Sequence, residues 1–189
     1  MEKEVIIKRL IIIIIIFCVI VSAFYFILNN LSFRSNKSNV KVELISDGCE
    51  EITVNDNFPM TDDVGRTFTS NKESRVQAFC KFEVKTNKST KYSLYLSDAG
   101  YDNSIHSNFI KVYLTDELEN PVKGFDTMSV PTFYSLRSSS INPTDRVLLE
   151  DKLKAKDSKK YILRVWVGDA YAVGTNVNKF SLKLHVEAN

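Results

Sequence analysis

Hydrophobic positions follow two regimes along the chain. Residues 10–28, LIIIIIIFCVIVSAFYFIL, run for 19 positions without a charge, whereas beyond Val40 apolar and polar residues alternate with period two. A helix over the first run would span about 28 Å at about 1.5 Å per residue, close to the roughly 30 Å hydrocarbon core of a bilayer. Residues 10–28 are therefore expected to form a transmembrane helix in contact with membrane lipid. A buried helix of a soluble domain is the competing reading, and it fits poorly because such helices keep a polar face. Residues 29–39 (NNLSFRSNKSN) are Ser/Asn-rich and read as a flexible tether.

Alternation of the second kind marks half-buried strands. Val76, Ala78, Cys80, Phe82 and Val84 share one face, with Phe79 the exception on the other. Tyr92, Leu94 and Leu96 form a second such set, and Ile110, Val112 and Leu114 a third. Tyr161, Leu163, Val165 and Val167 face away from Ile162, Arg164 and Trp166, and Phe180, Leu182, Leu184 and Val186 close the chain. Weaker strand candidates cover residues 40–45, 51–54, 66–69, 122–125 and 146–155. Turn chemistry separates them, as in Asn87-Lys88-Ser89, Asp98-Ala99-Gly100 and Glu119-Asn120-Pro121. No window shows a sustained helical period. Residues 40–189 thus predict an all-β, antiparallel two-sheet sandwich, immunoglobulin-like or jelly-roll. Residues 126–145, with Pro131 and Pro143, are expected to be an exposed loop or to hold one irregular edge strand. Trp166, the only tryptophan, is expected to pack on the 122–125 region or a loop, with an exposed ligand platform as the alternative.

Charge refines the picture of the N-terminus. The chain has 25 basic and 23 acidic residues; residues 1–39 carry 5 and 2 of these, leaving 20 and 21 for residues 40–189. The basic excess flanks the apolar run, and nothing in a domain near neutrality suggests nucleic-acid binding. Lys8-Arg9 abuts the run directly while Arg34 stands six residues beyond it, which places residues 1–9 in the cytoplasm and 40–189 outside. Val21-Ser22-Ala23 satisfies a signal peptidase, so cleavage after Ala23 competes with the uncleaved anchor. Against it, Phe24 to Leu28 would leave a sticky new N-terminus.

Of three cysteines, Cys18 lies within the apolar run. Cys49 and Cys80 are candidates for a disulfide in an oxidising exterior, or two separate reduced residues with Cys80 as a small core side chain. Neither belongs to a CxxC pair, so zinc and thioredoxin chemistry lack support. His106 and His185 show no metal-ligand spacing, and no GxSxG, phosphate loop or nucleotide fingerprint occurs. Asp98, Asp102 and Asn103 offer oxygens in one loop, a calcium candidate against the ordinary reading of solvated turn carboxylates. No cofactor is expected.

Arg146-Val147-Leu148, Leu153-Lys154-Ala155, Tyr161-Ile-Leu-Arg-Val-Trp-Val167, Asn178-Lys-Phe180 and Lys183-Leu-His-Val-Glu-Ala188 together resemble the anchored or secreted β-sandwich modules of Bacillota surface proteins, loosely the camelysin/TasA-type biofilm-matrix group. The resemblance covers about 45 C-terminal residues and, more faintly, residues 91–97. It implies a bacterial cell-surface or matrix protein with a sandwich fold. The metalloprotease label attached to camelysins is not implied, because no metal-binding motif here can receive it.

The expected function is thus a non-catalytic, membrane-anchored extracellular domain in surface assembly or adhesion. A matrix-fibre subunit released at Ala23, self-associating by strand donation, is one alternative. Another is an accessory subunit of a membrane complex, meeting its protein partner through the apolar helix or residues 126–145. The enzyme alternative is a hydrolase using Asp98 and Asp102.

Overall fold

The alternating segments fold as eight strands among the residues described by the computed structural model, which are 40–46, 49–69, 78–100 and 102–189. The apolar run 10–28, Ala23, Cys18, the 29–39 tether and Val76 lie outside them. The strands are β1 (Val42–Ser46), β2 (Glu51–Asn55), β3 (Ala78–Thr86), β4 (Thr90–Asp98), β5 (Ile110–Asp116), β6 (Arg146–Leu153), β7 (Ser158–Val167) and β8 (Lys179–Ala188). They form two four-stranded antiparallel sheets, ordered β1-β3-β7-β5 and β2-β8-β4-β6. Residues 40–189 make one compact unit.

Odd-numbered strands lie in one sheet and even-numbered strands in the other, so each connection between consecutive strands crosses the sandwich. The Asn87-Lys88-Ser89 turn is accordingly an arch between sheets and not a hairpin. The inward faces are the ones the alternation marks: Val84, Leu94, Leu96, Val112, Leu114, Leu163, Val165 and Leu182 are fully buried between the sheets. Each such side chain contributes about 1.5–3 kcal/mol relative to an exposed one.

Part of the outer face of the odd-numbered sheet, along β7, is covered too. Ile162, Arg164 and Trp166 of β7 are as buried as their inward neighbours. A short helix, α1 (Asp62–Thr67), lies over Trp166: the indole Nε1 donates to the Met60 carbonyl (3.2 Å), and Phe68 meets the ring edge-on at 6.0 Å. Thr61 caps α1, its Oγ1 accepting from Val64 N at 3.5 Å, with Asp62 and Asp63 in the first turn and Arg66 in the last. This corrects the expected strand at 66–69: the cap carries the chain helical to Thr67 before Phe68 returns it to extended backbone. Asp62 anchors the helix by accepting from Val130 N (2.7 Å) and pairing with Lys111 Nζ (3.1 Å) on β5. Trp166 is thus packed on a capped helix and the Met60 segment, whereas Phe125 of the 122–125 region meets Tyr113 instead.

Residues 122–125 form a turn closed by Phe125 N on the Val122 carbonyl (2.9 Å), where a strand was expected. Gly124 adopts φ 95° there, a left-handed conformation open to glycine. The long 126–145 segment runs beside β5: Val112 N donates to the Pro131 carbonyl (3.0 Å), and Phe133 N to the Ile110 carbonyl (2.7 Å). Proline suits this edge position, where it accepts and need not donate. Val130 and Phe133 turn inward, so the segment is a loop tucked over a sheet edge.

Candidate functional site

A cleft of about 720 Å³ opens beside β5, β6 and the start of β7. The alternation of β4 and β7 places Tyr92 and Tyr161 on inward faces, one from each sheet, where each phenol needs a polar partner. They find each other: the two hydroxyls stand 2.6 Å apart. Asp151 of β6 lies at 3.4 Å from the Tyr161 hydroxyl and 3.5 Å from that of Tyr92, and it pairs with Lys159 Nζ. Burial, and then the contact with Tyr161, hold Tyr92 well above the ordinary phenol range. Burial pushes Tyr161 up to about 12, even though accepting from Tyr92 works the other way. Asp151 is pulled in two directions: burial would raise its pKa, but hydrogen bonds from Lys159 and the Lys152 backbone outweigh it and leave it lowered.

The chemistry follows from those protonation states. At neutral pH both phenols keep their protons and Asp151 is ionised, so the cluster is a donor chain ending on a carboxylate. It offers no phenolate nucleophile. Asp116, Glu117 and Glu150 line the same cleft with Lys123 and Lys160, alternating charge within a small volume. Such a surface suits a ligand rich in hydroxyl or peptide groups better than a polyanion. The two tyrosines were legible as inward positions, but their pairing was not, because 69 residues separate them.

A second polar chain lies on the outer face of the even-numbered sheet. Ser97 Oγ is 3.2 Å from His185 Nδ1, and Asp145 Oδ2 is 3.5 Å from Nε2, with the imidazole stacked on Tyr95 at 5.3 Å. Ser, His and carboxylate stand in the order of a hydrolase triad. The strand backbone around Ser97 is engaged in the β4–β8 ladder, where Ser97 pairs with Lys183, and Asp145 also accepts from Asn142 Nδ2 (3.0 Å). A triad needs donors aimed at a developing oxyanion; here the chain ties β4, β8 and the 139–145 turn together. His106 has a local role, capping the 3₁₀ turn Ser107–Phe109 through Nδ1 on Asn108 N (3.3 Å).

The calcium candidates are brought close, and one oxygen of each already has a protein partner. Asp98 Oδ1 accepts from Asn103 Nδ2 (2.6 Å) and Gly100 N (3.1 Å), while Asn103 Oδ1 accepts from Ser181 N (2.7 Å). Asp102 is exposed and pairs with Lys179 at 3.3 Å. Among the described residues no three His, Cys, Asp or Glu side chains gather as a metal-holding group. Cys49 and Cys80 are both buried reduced thiols, close enough to each other that Cys49 raises the Cys80 pKa. Ala23 lies outside the described residues, as does the apolar run. No helix among the described residues is long and apolar enough to cross a membrane. Comparison of the chain with protein-family models, curated proteins and solved structures finds no match.

Proposed function

We propose that this chain is a membrane-anchored extracellular sandwich acting in bacterial cell-surface assembly or adhesion, without catalysis. One observation carries the reading: 19 uncharged residues with a basic edge at Lys8-Arg9, followed by a polar tether and then a single folded unit. That order suits a domain displayed at a distance from a bilayer. The mixed-charge cleft at Tyr161 and Asp151 supports a recognition role, with hydroxyl-rich or peptide ligands as the fitting class. The resemblance of the C-terminal strands to Bacillota surface sandwiches points the same way. The crossing of each strand connection departs from the immunoglobulin type, which sets several consecutive strands side by side in one sheet, and equally from the hairpin-built Greek keys of a jelly roll.

A second reading, the matrix-fibre subunit cleaved after Ala23, draws support from the sheet edges. β1 and β2 stand outermost in their sheets, positions open to an added strand from another copy. Expression of the full-length chain in a bacterium, followed by intact mass of the membrane and medium fractions, separates the two. Full-length mass in membranes, with the sandwich cleaved by protease added to intact cells, is the expected result. A released species lacking residues 1–23 transfers the proposal to the fibre subunit. A sandwich protected from external protease in intact cells sinks the extracellular placement.

A further inference from the structure

Cys49 and Cys80 reach each other from opposite sheets. Cys80 sits on the inward face of β3, paired with Leu163 of β7 in the odd-numbered sheet. Cys49 immediately precedes Glu50, whose carbonyl accepts from Leu184 N (3.2 Å) of β8 in the even-numbered sheet. Its Sγ lies 3.9 Å from the Lys81 carbonyl, one residue along from Cys80. Both side chains belong to the core, 3% and 5% exposed, and lie close enough that Cys49 raises the Cys80 pKa. Both are reduced thiols in this structure, Cys80 held in the β3–β7 ladder and Cys49 next to Glu50, which is tied to β8.

We propose that Cys49 and Cys80 are the two ends of a disulfide that staples one sheet to the other. Its closure in the cell rests on the extracellular placement proposed above. The loop it would close is about 30 residues long and includes β2 and α1, the helix that covers Trp166. Closure proceeds by exchange with an external disulfide such as oxidised glutathione. One cysteine thiolate attacks it and expels a glutathione thiolate; the second then attacks the mixed disulfide and expels the other. Two protein thiols are oxidised, one glutathione disulfide is reduced to two thiols, and the cysteine protons pass to those leaving groups. Contact with Cys49, then burial, hold the Cys80 thiol above its ordinary range, which makes the folded dithiol a poor nucleophile. The bridge therefore closes as the chain folds or through local opening that frees Cys49.

The test uses the full-length chain with Cys18→Ser, purified in detergent and equilibrated with oxidised glutathione near its unfolding midpoint. The expected product is about 2 Da lighter than the reduced chain, with the Cys49 and Cys80 peptides linked in a non-reducing digest. Reductant should then lower the Tm by about 10 °C, and leave Cys49→Ser and Cys80→Ser variants unmoved. Two alkylatable thiols after equilibration, or stable glutathione adducts on both, overturn the proposal. A bridge whose reduction leaves the Tm unchanged overturns its role as a staple. The chain trapped from intact cells with iodoacetamide separates this inference from the one beneath it. A bridge that forms in detergent, with reduced thiols on cells, supports the site and counts against the extracellular placement.

Discussion

Tyr161 shows how one side chain can tie stability to pH. An unfolded tyrosine ionises near pH 10, whereas burial holds the folded one up to about 12. Below pH 10 both states keep the proton, and the hydroxyl's contribution is fully present. Between pH 10 and 12 only the unfolded chain gives up its proton, so the folded state binds more protons and stability falls as pH rises. The expected loss is about 2–3 kcal/mol from Tyr161 by pH 12, with Tyr92 adding to it in the same direction. Urea midpoints taken from pH 9 to 12 should fall more steeply in the parent than in Tyr161→Phe. Equal slopes would show that the phenol is no more buried than in the unfolded chain. Lysine deprotonation over the same range is common to both proteins and cancels in the comparison.

At the scale of elements, α1 depends on a residue with no side chain. A Cβ at Gly65 would fall 2.1 Å from two carbons of the Trp166 ring, so the helix can lie on β7 only with glycine there. Gly65→Ala should therefore cost about 1–3 kcal/mol by overpacking, despite alanine's better helix propensity. Trp166 fluorescence during urea unfolding measures it directly, and a stabilised variant would mean that α1 does not seat on the indole. The same seat explains Arg164. Its guanidinium is 0% exposed, with Nε donating to the Phe68 carbonyl (3.0 Å), Nη2 to Glu119 (3.2 Å), and the plane 5.0 Å above Phe79. Phe79, the residue that broke the alternation of its strand, is thus the platform on which this buried cation rests. Alternation assigned Arg164 and Trp166 correctly to the outer face of β7. It could not report that a capped helix covers that face, because the cover comes from a segment about 100 residues earlier.

Across the whole molecule, consecutive strands never pair, so few strand contacts are local in sequence. A sandwich of that kind closes long loops before its core is made, which favours slow and concerted folding. Unfolding followed by Trp166 fluorescence, which reports the outer face of one sheet, should coincide with far-UV circular dichroism, which reports both. Separate midpoints would mean that the α1-covered layer opens on its own.

The local pattern carries the period-two segments and the inward direction of their side chains, since pleating forces successive residues to opposite faces. It also carries the turns at Asn87, Asp98 and Glu119, and the length and flanking charge of the run at residues 10–28. Long-range packing selects which sheet each strand joins, and with it the meeting of Tyr92 with Tyr161, of Cys49 with Cys80, and of Ser97 with His185 and Asp145. It likewise placed Arg66 and Thr67, expected in a strand, in the last turn of a helix. The physical reason is common to all of these. Periodicity is a property of neighbouring residues and records a face, whereas a partner is chosen by packing among segments tens of residues apart, about which a local pattern carries no information.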